Sequence, residues 1–239
     1  EIDSKFDMYV PDMPIAGVEE YFDKDFYNNN YSEIINAYNS LVDEHSRAIF
    51  SSVINYKLTG KMKYLLESYS GRDEIYTLMP TDNIRVTIDA GAYNGDTARE
   101  IKEYFPNLKK VYAIEPDKKN FKKLLRYYEA ENEISIVPIN AAAWRDNSDG
   151  ILFGSGNRNS TAVATASFEH SEDEVKMLKI DSLNAENIDY IKYDVEGAER
   201  EALIGSHKTI FKDKPTLLIS LYHRSRDIFD LINIFNDKY

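Results

Sequence analysis

The sequence predicts a doubly wound, mostly parallel α/β sheet preceded by a helical N-terminal extension. Three observations carry this. From Ile84 onward, short apolar runs (IRVTID, KVYAIE, ISIVPI, DYIKYD, TLLISLY) alternate with helical segments at residues 97–104, 118–130, 198–211 and 227–235. Strands separated by helices of this length pair in parallel through right-handed crossovers. Upstream, Ile34, Ile35, Tyr38, Leu41, Val42, Ile49, Phe50, Val53 and Ile54 recur at three- and four-residue intervals, an amphipathic helical period with Gly60 as its stop. Finally, the turn Asp89-Ala90-Gly91-Ala92-Tyr93-Asn94-Gly95-Asp96-Thr97 directly follows the first β-branched run and opens the first helix.

Taken in order, residues 1–30 hold two prolines and many acids without a sustained period, and read as an irregular arm. Residues 1–80 form this arm and the helical extension, which packs against the main domain or covers a ligand cleft as a lid. Residues 81–239 form the sheet domain. Its first strand runs over residues 85–88, its second ends at Glu115-Pro116-Asp117, its third is ISIVPI, its fourth spans 190–194, and its fifth spans 217–222 with His223 at its end.

Composition narrows the function classes. The chain has 239 residues, enough for one large domain with an appendage, and 43% hydrophobic and 13% aromatic residues mark it as folded. Its 29 basic against 41 acidic residues give a net charge of -12, and no dense Lys/Arg stripe stands out, so a nucleic-acid partner is not expected. The absence of cysteine excludes a disulfide framework, a thiolate zinc site and a cysteine nucleophile. No run approaches roughly 18 apolar residues and no basic-then-apolar leader opens the chain, so neither a membrane span nor a secretion signal is expected and a cytoplasmic location is the default.

In an open parallel sheet, ligands bind beyond the carboxyl ends of the strands. The 89–97 turn reaches that edge as G-x-x-x-G rather than the G-x-G-x-x-G that cradles a pyrophosphate. Asp89 and Asp96 bracket it and would repel a pyrophosphate, so a neutral or cationic ligand suits it better. Gly91 permits a tight turn and Gly95 a close approach of ligand to backbone. Glu115, at the tip of the second strand, is placed to accept hydrogen bonds from both hydroxyls of a ribose. A ribose, no phosphate grip and a lining of acids fit S-adenosylmethionine.

These residues carry a resemblance. Through DAGAYNGDT (89–97), IEPD (114–117), IDSL (180–183), IKYDVEGAEREALIG (191–205) and the LLISLYH run ending at His223, the chain resembles the FkbM-type S-adenosylmethionine-dependent methyltransferases over residues 41–235. The resemblance implies a Rossmann-like sheet of class I methyltransferase type and methyl transfer to hydroxyl oxygens, often of sugars or glycosylated metabolites. By it, Asp89, Gly91, Gly95 and Thr97 would surround the methionine part of the donor, Glu115 would lie on the ribose, and Asn140, Ala141 and Ala142 near the adenine. Ala92, Tyr93, Pro116 and Asp194 complete the expected donor-binding set. A closing antiparallel hairpin, expected after the 227–235 helix, has no counterpart here, so the sheet is short by two strands or the chain is truncated.

A hydroxyl acceptor must lose its proton to a base or a metal. Asp194 and Glu196 are two apart and project to one side if the chain stays extended; His223, a neutral imidazole near physiological pH, suits a general base. Asp194, Glu196 and His223 also offer donors for a divalent cation such as Mg or Mn, but their spacing matches no metal signature, so the metal-free reading ranks first. Arg158 and Asn159, in the polar glycine-bearing loop 154–161, and Tyr222 are candidates for holding a small-molecule or glycan acceptor. Two alternatives stand beside this reading: a nicotinamide-dependent oxidoreductase, disfavoured by the acid-rich turn, and a non-catalytic binding domain that keeps the cofactor fold, against which Asp194, Glu196 and His223 argue.

Overall fold

The computed structural model describes residues 8–10, 21–153, 161–164 and 174–238, in two compact units: Glu1–Arg72 with Leu221–Tyr239, and Asp73–Ser220.

The first unit is helical: α1 (Lys24–Asn29), α2 (Tyr31–Ser40), α3 (Glu44–Thr59), α4 (Met62–Glu67) and the final helix α10 (Asp227–Lys238). Residues 24–29 correct the expectation of an irregular arm. Asp23 caps α1 by accepting from Phe26 N at 2.8 Å, and Phe26 is buried beside Phe22. The expected helical run over 31–66 is divided by a second such cap, Asp43, which accepts from Ser46 N at 2.8 Å. Val42, just before it, is 95% exposed although it falls on the apolar period. Gly60 ends α3 in the left-handed region (φ 67°) as expected. Phe22, Phe26, Ile34, Ala37, Phe50, Ile54, Ile228 and Phe229 form the core of this unit. Asn233 Nδ2 donates to Glu33 O at 2.9 Å and ties α10 to α2.

The second unit contains α5 (Arg72–Thr77) and a central sheet of β1 (Val86–Ala90), β2 (Lys110–Ile114), β3 (Ser135–Ile139), β8 (Tyr190–Tyr193) and β9 (Thr216–Ile219), in the order β3-β2-β1-β8-β9 with every pairing parallel. Helices α6 (Asp96–Tyr104), α7 (Lys118–Ala130), α8 (Glu199–Gly205) and α9 (His207–Asp213) flank it. The doubly wound α/β reading therefore holds. Ala92, Ala98, Ile101, Phe105, Val111, Ala113, Leu124, Ile136 and Tyr190 form one buried cluster on this sheet. The single helix expected over 198–211 is two helices. Ser206, fully buried between them, donates to Ala202 O at 2.9 Å, and its hydroxyl lies 2.5 Å from Tyr193 Oη.

Between β3 and β8 the chain builds a smaller mixed sheet not foreseen from the sequence: β4 (Ala142–Trp144), β5 (Ser148–Phe153), β6 (Thr161–Ala164) and β7 (Glu174–Lys179), in the order β4-β7-β5-β6. α8 packs on it so closely that a Cβ added at Gly205 would lie 1.9 Å from Trp144 O. Among the described residues no helix is long and apolar enough to cross a membrane.

Candidate active site

Order reverses at β1: β2 and β3 lie to one side, β8 and β9 to the other. The crevice beyond the carboxyl ends of β1 and β8 is thus the switch point where such sheets take ligands. Four carboxylates elsewhere in the unit hold the scaffold together. Asp189 accepts from Arg85 N and Val86 N at 2.8 and 2.9 Å and pins the start of β1. Asp117 caps α7 through Lys119 N and Asn120 N, Asp181 of the IDSL segment accepts from Thr209 N at 2.9 Å, and Asp213 accepts from Ile188 N. Asp89, Glu115 and Asp194 lie at the edge itself.

Asp89 is 1% exposed, and burial, the largest influence, raises its pKa to about 6 against the opposing pull of Lys192. Lys192 is its register partner on β8, with Nζ 3.8 Å from Asp89 Oδ1 and 3.3 Å from Asp194 Oδ2. Burial pulls the Lys192 ammonium down, but Asp89 and Asp194 outweigh it and its pKa is raised. Ser220, one residue beyond β9, donates from Oγ to Asp194 Oδ1 at 2.9 Å. Asp89, Lys192, Asp194 and Ser220 thus form a row across three strand tips. The sequence reading missed Lys192 and Ser220, although Lys192 stands two residues before Asp194 on one strand, which puts both on the same side.

The loop 91–97 has little left with which to grip a phosphate. Gly91 N and Ala92 N both donate to Ile114 O at 3.0 Å, Gly95 N to Ala92 O at 2.8 Å, and Tyr93 N to Glu115 Oε2 at 2.8 Å. Thr97, buried in the first turn of α6, donates its N–H to Asp96 Oδ1 at 3.0 Å. A pyrophosphate site needs such amides free. Gly91, at φ 91°, has no room for a side chain, since a Cβ would lie 1.9 Å from Asp194 O. Gly95, at φ 83°, differs from expectation. Its missing Cβ faces Tyr127 and Leu124 of α7, with the Tyr127 ring 2.5 Å away, so helix packing by itself already requires glycine there.

Glu115 is 5% exposed, and burial pushes its pKa up to about 7 despite backbone bonds from Asp117 N (2.9 Å) and Tyr93 N that favour the ionised form. The two amides fix the carboxyl in one orientation, and each oxygen retains a lone pair for a ligand hydroxyl. Asn140 donates from Nδ2 to the carbonyls of Glu115 and Pro116 at 2.8 and 3.1 Å, locking the β2 tip to the β3 tip. Ala141 and Ala142 are buried, Ala142 as the first residue of β4.

Two geometric expectations fail. β8 stops at Tyr193 and Glu196 sits in the left-handed region (φ 54°), so Asp194 and Glu196 are not carried on one extended face. Glu199, fully buried, braces this turn by accepting from Val195 N at 2.9 Å. β9 ends at Ile219, so Tyr222 and His223 do not end a strand; they belong to the first unit. Arg158 and Asn159 lie outside the described residues.

A model of the methyltransferase FkbM domain matches residues 89–238, every edge residue described above included. The chain belongs to this family. The fold of this FkbM-family chain is similar to that of the crystal structure of methyltransferase FkbM from Methylobacillus flagellatus KT, at a TM-score of 0.73 and 24% identity. The match covers 90% of this chain and 54% of that one, so the chain spans about half the length of that relative. No curated protein matches the sequence. Membership in the FkbM family implies S-adenosylmethionine as methyl donor, and the edge fits it. The site offers a fixed carboxyl for a diol, carboxylates beside the β1–β8 crevice for a cationic group, and loop amides already committed to other acceptors.

Proposed function

We propose that this chain catalyses S-adenosylmethionine-dependent O-methylation of a hydroxyl on a small, sugar-like or glycosylated acceptor. The observation that carries the donor assignment is the commitment of the Gly91, Ala92, Tyr93 and Gly95 amides to acceptors within the protein, beside a row of carboxylates. That arrangement suits a nucleoside with a cationic tail and not a dinucleotide.

When bound, S-adenosylmethionine supplies an electrophilic methyl group on a sulfonium. Glu115 would hold the ribose diol, with Pro116 in the same donor-binding set, while Asp89, Tyr93, Thr97 and Asp194 would hold the amino-acid tail. Asn140, Ala141 and Ala142 border the base. A hydroxyl acceptor must give up its proton as it attacks, so the reaction needs a base. In this reading His223 is the candidate base for the acceptor hydroxyl, and Asp194 and Glu196 are the candidate catalytic carboxylates. Tyr222, Arg158 and Asn159 are the candidates for holding the acceptor. In-line displacement depends mainly on holding the acceptor oxygen about 3 Å from the methyl carbon, so most of the rate comes from positioning.

Isothermal titration with S-adenosylhomocysteine, with NAD as control, tests the donor. Binding of the first alone is expected, and NAD binding would overturn the reading. Transfer of labelled methyl to a panel of free sugars and glycosides tests the acceptor. Label appearing only on amine compounds in a mixed panel would refute O-methylation while leaving the donor assignment intact.

A further inference from the structure

Helix α7 carries a line of cations that is not neutralised among the described residues. Lys118, Lys119, Lys122, Lys123 and Arg126 are all exposed, while Leu124, fully buried, and Phe121 and Tyr127 turn inward to the core cluster. In the linear sequence Asn120, Phe121, Leu124 and Leu125 interrupt these cations, so no stripe stands out there. On the helix they fall into two adjacent ridges, 118-122-126 and 119-123, each stepping by four residues.

Both placements work against the helix. Like charges four residues apart repel one another. Cations in a first turn oppose the positive end of the macrodipole, and the first turn of α7 contains Lys118 and Lys119 and no acid beyond the Asp117 cap before it. Lys118, Lys119, Lys122 and Arg126 make no ion pair among the described residues, although acids exceed bases across the whole chain. Lys102, by contrast, is paired with both Glu131 and Glu133. An arrangement unfavourable to its own helix and uncompensated among the described residues is explained by an anion brought from outside.

We infer that the α7 ridge is a docking surface for an acidic segment of another protein. The ridge is the convex outer face of a helix, and small ligands take concave sites. It is about 12 Å long from Lys118 to Arg126. Beyond that, acids begin, with Glu129 on the same helix and Glu131 and Glu133 following it. A nucleic-acid backbone or an anionic bilayer continues past such a boundary and would meet those carboxylates, whereas a short acidic helix would not. Carboxylates at four-residue intervals on a partner helix repeat every 6 Å or so, matching the 118-122-126 step. Lys123 donates to Asn120 Oδ1 at 3.1 Å and sits 5.3 Å from the centre of the Tyr93 ring. Lys123 therefore joins the ridge to the loop at the β1 tip, and a docked partner lies beside the crevice.

Fluorescence anisotropy tests this with a labelled helical peptide of roughly 20 residues bearing Glu every fourth position over about nine central residues and uncharged residues elsewhere. The comparison probes are a single-stranded oligonucleotide and vesicles containing phosphatidylserine. The expected result is peptide binding that falls as salt rises and is weakened about tenfold or more by Lys122→Glu with Arg126→Glu. That double variant should retain its affinity for S-adenosylhomocysteine and its melting temperature, since both side chains are exposed and carboxylates at 122 and 126 would attract Lys118, Lys119 and Lys123. Absence of peptide binding, equal binding by the variant, or tighter binding to the oligonucleotide or the vesicles would overturn the inference.

Discussion

Ser220 Oγ donates to Asp194 Oδ1 at 2.9 Å while Lys192 Nζ lies 3.3 Å from Asp194 Oδ2, so each oxygen of the Asp194 carboxylate has its own donor. The two donors come from neighbouring strands. The orientation of Asp194 is therefore a property of the sheet register, and small changes beside it should show in catalysis.

Ser220→Ala removes one donor and should cost about 1 kcal/mol of stability. Turnover should fall more than donor affinity, because the carboxylate is then held less firmly in its orientation. Steady-state kinetics paired with titration of S-adenosylhomocysteine separate the two. Equal losses in binding and turnover would show that Ser220 acts only through the fold.

Lys192→Met leaves Asp89 buried without its cation, and removal of one partner from such a pair costs on the order of 3 kcal/mol. Asp89 then stays protonated to higher pH. Lys192→Arg should recover part of the stability. Urea denaturation of the three proteins gives the order wild type, Arg, Met if the pair is as described.

Gly91→Ala places a Cβ 1.9 Å from Asp194 O at a φ of 91°. The β1 and β8 tips must separate, and the loss should exceed about 3 kcal/mol, with donor binding abolished. A thermal melt within a degree or two of wild type would contradict the close approach of these backbones.

Stability should fall as pH rises. Burial holds the pKa values of Glu115 and Asp89 above their ordinary values, at about 7 and about 6, so the fold favours their protonated forms. The sign follows: their contribution is intact below the unfolded values and is lost as pH passes through 6 and 7, by on the order of 3 kcal/mol for Glu115. Denaturation midpoints between about pH 4 and about pH 8 measure the slope. Glu115→Gln should flatten it and weaken S-adenosylhomocysteine binding at least tenfold; an unchanged slope would remove Glu115 as its source.

Periodicity revealed most of the second unit. The five central strands and the extent of α7 follow from alternating apolar runs and amphipathic spacing, which are local signals. The strand-tip acids were legible for the same reason, because a polar residue closing an apolar run marks the sheet edge. What remained hidden depends on contacts distant in sequence. Ser220 matters because β9 pairs with β8, and Lys192 because β8 pairs with β1. Gly95 looks like a ligand-facing glycine until the Tyr127 ring is seen against it. The caps at Asp23 and Asp43 were readable in principle, yet the acid-rich surroundings masked them. Ser206 divides one apparent helix through a buried hydroxyl contact with Tyr193 that no helical period reports.

The carboxylate of Asp189 grips the amides of Arg85 and Val86, partners separated by 104 and 103 residues in the chain. Everything that forms α6, α7, β2, β3 and the smaller sheet lies inside that loop. Closing it is an entropic hurdle that grows with the intervening length, and topologies dominated by such remote pairings fold slowly. During synthesis the loop at the β1 tip leaves the ribosome long before its Lys192 and Asp194 counterparts. The crevice can be completed only after that delay, and a nascent chain halted before β8 exposes one side of β1 as an unprotected strand edge.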